Sequence, residues 1–205
     1  MKLKPFWLLF PALILAVPSF ADKKDEAKFS PGPPSSYASK QTNENVTIAV
    51  KAYDSEELAH AAFGKLNPYQ YGILPVLVIV QNDTNEALRL EGLQVQYTSF
   101  DGNQIDATPA ADVPFAVYNP RRPSAGAQIP IPIPPELRKK HKSPLSGPEI
   151  QTRAFAARML PPHDTASGFF YFQAHHRPGD SVYVSGLKDA TSGKALFYFE
   201  IPFKD

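Results

Sequence analysis

Residues 73–82, ILPVLVIVQN, form an unbroken apolar run dominated by β-branched side chains, bounded by Gly72 and by the turn-forming NDTN. Such a run predicts a strand. Consecutive strand residues point to opposite faces, so a strand apolar at every position must be buried on both. Pro75 is expected near its start or on an edge, because it cannot donate to a ladder.

The remaining chain reads as further strands around this one. NVTIAVKAY, residues 45–53, alternates Val46, Ile48 and Val50 with Thr47, Ala49 and Lys51, the period of a half-buried strand. A short helix is expected next, with Asp54 and Glu57 at capping-box spacing, Leu58, Ala61 and Ala62 on one face, and Gly64 as its stop. Leu88 and Leu90 keep one phase and Leu93, Val95 and Tyr97 the opposite one, which predicts a bulge or bend at Glu91 and Gly92. Asp101 and Gly102 mark a hairpin turn into a strand near Ile105. The tail, GFFYFQA, SVYVSGL and KALFYFEIPF separated by turns, predicts a three-stranded meander, with Phe197, Phe199, Ile201 and Phe203 on one side of the last strand. Phe169 and Phe170 must face opposite sides, and so must Tyr171 and Phe172; the second face is expected to be covered from within the chain.

Two segments have a different character. Residues 109–148 contain ten prolines and the basic ELRKKHK, which excludes central sheet and predicts a long, stiff surface excursion. Ser146, Pro148 and Glu149 then suit a helix start, so a helix is expected over 148–160, stopped by Pro161 and Pro162, although its apolar stripes are weakly amphipathic. Residues 1–21 have the basic, apolar and small-residue parts of a secretory signal, with Lys2 and Lys4, a stretch from Phe6 to Val17, and Ser19 and Ala21 before the cut. Pro11 and Pro18 interrupt the apolar run, so no transmembrane anchor is expected after its removal. Residues 22–44, rich in charge, Pro, Ser and Gly, read as a flexible linker ahead of a single domain at 45–205.

Composition narrows the function classes. There is no cysteine, which excludes disulfide scaffolds, thiolate chemistry and an amino-terminal cysteine lipid anchor, so stability must come from a core. Without Lys2 and Lys4 the chain has 19 basic against 20 acidic side chains, net −1, which argues against a nucleic-acid partner. The charges are unevenly spread, net −6 over 45–120 and net +6 over 121–158. Arg121, Arg122, Arg138, Lys139, Lys140 and Lys142 are candidates for an anionic partner, against the plainer reading of a solvated loop.

Together, ILPVLVIVQNDTNEALRL and GFFYFQAHHRPGDSVYVSGLKDATSGKALFYFEIPF resemble the immunoglobulin-like sandwich domains of exported bacterial proteins that have no assigned activity. The resemblance implies a mostly β, immunoglobulin-like sandwich of about seven strands with one or two short helices, in a periplasmic or secreted location. It leaves function open, since one fold hosts many. The chain departs from the antibody pattern: it has no cysteine pair, and its one tryptophan, Trp7, lies in the signal.

Chemistry is weakly signalled. His163, His175 and His176, with Asp164 or Asp180, are the candidates for a metal, but His175 and His176 are adjacent and diverge in any regular strand. No HExxH, GxSxG, GxxxxGK or GxGxxG spacing is present, so no catalytic residue and no cofactor is assigned. Pro120 with Pro123 and Pro132 with Pro135 have PxxP spacing, which loop stiffening explains. Asn45 and Asn82 head N-x-T sequons. The sequence-level expectation is an exported, non-enzymatic domain with a protein partner in the envelope or outside the cell. The alternative is a small-ligand or metal-binding protein or hydrolase near His163, His175 and His176. The sequence leaves oligomeric state open.

Overall fold

A computed structural model describes residues 29–116 and 143–204. The signal segment, residues 22–28 of the linker, the six basic candidates from Arg121 to Lys142 and both PxxP stretches lie outside the described residues.

The described chain is mostly β and forms a sandwich. One four-stranded antiparallel sheet, sheet A, has the order β1 (Lys40–Asn43), β2 (Val46–Ala52), β3 (Leu74–Asn82), β8 (Thr165–Phe172). A second, sheet C, has the order β11 (Phe199–Pro202), β9 (Ser181–Ser185), β5 (Gln94–Thr98), β6 (Gln104–Asp106). A small sheet B joins β10 (Lys188–Asp189), β4 (Leu88–Arg89) and β7 (Met159–Leu160). The described residues therefore hold eleven strands, where about seven were expected. Much of the surplus is in two-residue strands that are too short to leave a period in sequence.

Period-two alternation builds two cores from sheet A. Ile48 and Val50 of β2, Val76, Val78 and Val80 of β3, and Phe172 of β8 face sheet C, where Val95, Tyr97, Val182, Val184, Phe199 and Ile201 meet them. The opposite parity, Ala49, Leu77, Ile79, Phe169 and Tyr171, packs under Ala62 and Phe63 of α1 (Glu56–Phe63), with Tyr53, Val113, Leu145 and Ile150. β3 is thus buried on both faces, and its cover comes from within the chain, as expected.

Several expectations are corrected. The linker is not structureless to residue 44: Phe29 packs on Phe169 at 5.5 Å and β1 pairs with β2 through the whole of Lys40–Asn43. A two-residue turn, Glu44 and Asn45, both at positive φ, makes that hairpin, and its twist matches the strands. The cap of α1 is Ser55, whose hydroxyl accepts from Leu58 N, rather than Asp54. Its buried face is Ala59, Ala62 and Phe63, one residue on from the expected stripe. Of the proline-rich excursion, the described ends are not surface excursion: Val113 and Leu145 are buried in the outer core.

The helix expected over 148–160 ends at Thr152 as α2 (Pro148–Thr152). From Arg153 onward the backbone leaves the helix to pair with β8, with Phe169 N donating to Arg153 O at 2.8 Å and Phe155 N to Phe169 O at 3.1 Å. Gly168 permits this approach, because a Cβ there would lie 2.4 Å from Phe155 Cα. Weak amphipathicity left the helix little to gain, and the ladder satisfies the same backbone groups. The bend at Glu91 and Gly92 is where the chain passes from β4 in sheet B to β5 in sheet C. The expected meander does not form, since β8 joins sheet A while β9 and β11 pair in sheet C.

Candidate functional site

The three candidate histidines do not share a site. His163 sits at positive φ in the exposed turn before β8, whereas His175 and His176 follow it. The eight residues of β8 separate the two positions by roughly 26 Å at about 3.3 Å per residue. Asp164 lies at the His163 end, and Asp180 at the other. His175 and His176 diverge as their adjacency predicts: His175 is exposed, its ring edge-on to Tyr69 at 5.9 Å, and His176 turns inward. Among the described residues no group of three or more His, Cys, Asp or Glu side chains is placed to hold a metal ion.

His176 instead belongs to a buried polar junction that links the β8–β9 connection to β5. Asp180, fully buried, accepts from Phe100 N at 2.8 Å, from Arg177 N at 2.7 Å and from the Tyr97 hydroxyl. His176 Nδ1 is 3.0 Å from the Tyr97 oxygen and 3.7 Å from the Asp180 carboxylate. With the Tyr97 proton committed to Asp180, the consistent arrangement has His176 Nδ1–H donating to Tyr97. Burial first, then Asp180, pushes the Tyr97 phenol well above its ordinary range. A base for catalysis needs a reachable proton in a substrate, and here the acceptors are occupied by the protein's own donors. The junction is a clasp between sheet C and the turn that feeds it. Sequence reading named Asp180 and His176 but missed Tyr97, whose apolar phase marked it only as core.

The two sides of the sandwich differ. On one side β1 lies beside β11, and side chains rather than backbone close the gap: Gln41 accepts from Glu200 N at 2.9 Å, Ser39 from Lys204 N at 2.7 Å and Glu44 from Phe197 N at 3.2 Å. Asn43 donates to Tyr198 O at 3.0 Å. Edge backbone groups of β11 and of the residues that flank it are thereby capped.

On the other side, β8 and β6 end their sheets with an open cleft of about 300 Å³ between them. Leu93, Val95, Ala107 and Phe170 supply its apolar lining, and Gln94, Gln96 and Asp106 its polar rim. Chain crossings limit it: Thr108 bridges to Tyr171, and Phe155 stacks on Phe170 at 5.5 Å. No sequence pattern announced this cleft, because its walls come from separate strands. Among the described residues no helix is long and apolar enough to cross a membrane. No protein-family model matches the chain, and no curated protein matches it.

Proposed function

We propose that this is an exported, non-enzymatic sandwich domain of immunoglobulin-like kind that works by protein–protein contact in the cell envelope or outside the cell, through the cleft between β8 and β6. What supports the reading is the asymmetry of the two sides. One seam is closed by side chains of β1, and the other leaves apolar side chains at the bottom of a polar-rimmed cleft. A partner side chain seated there would displace water from Leu93, Val95 and Phe170, while Gln94, Gln96 and Asp106 fix its orientation. The alternative, a metal or small-ligand site or a hydrolase at His163, His175 and His176, has no common pocket to rest on, because β8 holds His163 apart from the other two.

A photo-crosslinking residue placed at Gln96 tests this in the cells that make the protein. One adduct of reproducible mass is expected, and it should be lost when Ala107→Arg fills the cleft. An adduct that survives Ala107→Arg, or no adduct from Gln96 while the same label at Lys65 gives one, would sink the reading.

A further inference from the structure

We propose that the outer face of sheet C is a binding site for a neutral, extended polysaccharide, reaching from the β11 edge to Gln96 and Asp106 at the rim of the cleft. Val95, Tyr97, Val182, Val184, Phe199 and Ile201 point into the core. Alternation therefore turns Gln96, Tyr183 and Glu200 outward. Register aligns them in one row across all four strands: Glu200 pairs with Tyr183, Tyr183 with Gln96, and Gln96 with Asp106. At about 4.8 Å between strands the row is roughly 14 Å long. Tyr198 stacks on Tyr183 with ring centroids 5.3 Å apart and planes 29° from parallel, and it remains 55% exposed.

The chemistry of this row fits sugars. A pyranose ring has a C–H face that packs on an aromatic ring and hydroxyls that pair with carboxylate and amide groups. Gln96 Nε2 donates to Asp106 Oδ1 at 2.8 Å, which fixes both groups and leaves their remaining oxygens as acceptors for hydroxyls. Glu200 supplies a carboxylate at the other end. The row contains two carboxylates and no basic side chain, so acidic polymers would be repelled and a neutral chain is favoured. A protein contact is the weaker fit, because the cores of such contacts are depleted of carboxylates. Besides Tyr183, the outward residues of β5 and β9 that reach solvent are Gln94, Gln96, Thr98 and Ser185, all small or polar. A row that crosses four strands suits an extended chain over a compact one.

Affinity electrophoresis of the purified chain in gels containing hydroxyethylcellulose, xylan or galactomannan, with alginate as the acidic control, tests this. Retardation is expected in at least one neutral gel and not in alginate. Tyr198→Ala should weaken it by about tenfold, Tyr198→Trp should preserve it, and Tyr71→Ala, at an exposed tyrosine outside this face, should leave it unchanged. Matching thermal melts would show that the Tyr198 variants are folded. The inference is overturned if none of the three neutral gels retards the chain, if Tyr198→Ala is retarded like the parent, or if alginate retards it equally. It is also overturned if a crosslinker at Glu200, at the end of the row away from the cleft, captures only protein. Ala107→Arg fills the cleft at the β6 edge, whereas Tyr198→Ala removes the aromatic end of the row beside β11 at the opposite edge, so loss of protein capture and loss of sugar binding are read separately.

Discussion

The Tyr97 hydroxyl of β5 donates to the fully buried carboxylate of Asp180, in the turn that leads into β9. Two neighbouring backbone N–H groups, Phe100 and Arg177, point at the same carboxylate. A buried carboxylate without such donors would be severely penalised, so these contacts depend on one another. Tyr97→Phe removes one donor from Asp180 and should cost about 1–3 kcal/mol. Asp180→Ala strands three donors at once and should cost more than Tyr97→Phe. Urea unfolding of both variants checks the order, and a Tyr97→Phe variant as stable as the parent would show that the bond contributes nothing net.

Alkali should unfold the protein through its buried tyrosines. Burial, then the nearby Tyr37, pushes the Tyr53 phenol up to about 12. Burial likewise raises Tyr171, with Arg153 acting in the opposite direction, and it raises Tyr97. In the unfolded chain these phenols ionise near pH 10, roughly the ordinary value for tyrosine. Since the folded values are the higher ones, their contribution is fully present below about pH 10 and is lost as pH rises through the folded values. Urea midpoints taken between about pH 8 and pH 11.5 should fall at the upper end, and the fall should be shallower in Tyr53→Phe.

Two glycines at positive φ should respond very differently to alanine. Gly186 has φ +86°, and a Cβ there would lie 1.9 Å from Gly92 O, where the chain passes from β4 to β5. Gly193 has φ +72° but open space around the same position. Gly193→Ala should cost about 1–2 kcal/mol from the left-handed backbone alone. Gly186→Ala adds a backbone clash and should cost distinctly more or prevent folding. Equal melting temperatures for the two variants would contradict the close approach.

Asn82 should be structural and unglycosylated. Its side chain is fully buried, donating to Glu86 O at 2.8 Å and Pro161 O at 3.0 Å, while its Oδ1 accepts from Thr84 N at 3.1 Å. Expression in a host that glycosylates N-x-T sequons should leave Asn82 unmodified, as read by mass spectrometry of the tryptic peptide. Asn82→Ala should cost about 1–3 kcal/mol or more, because several buried backbone groups lose their partner.

Alternation alone was enough to say that Val46, Ile48 and Val50 are buried, that 169–172 present two faces and that β3 needs cover on both, but it set Ala49 on the half-exposed side of β2, where the outer core buries it completely. It also located the hairpin at Gly102 and the change of direction at Gly92. These are local consequences of period-two geometry and of turn chemistry, and they hold whatever the strands pair with. For the candidate site the sequence offered residue types without neighbours: it named His176 and Asp180 but joined them to His163, which the length of β8 removes.

Tertiary structure decided everything that rests on partners distant in the chain. β8 pairs with β3 and not with β9, because its two aromatic faces complete both cores of sheet A. Residues 153–155 leave the helix because β8 offers their backbone a ladder at Gly168. β1 is held by side-chain bonds to β11 that span about the whole domain in sequence, the Gln41 to Glu200 pair being 159 residues apart. The Tyr97–Asp180 clasp, the cleft between β8 and β6 and the row from Glu200 to Asp106 arise in the same way. Each is a meeting of strands whose register is fixed by the burial of the whole sheet, and no local pattern encodes that.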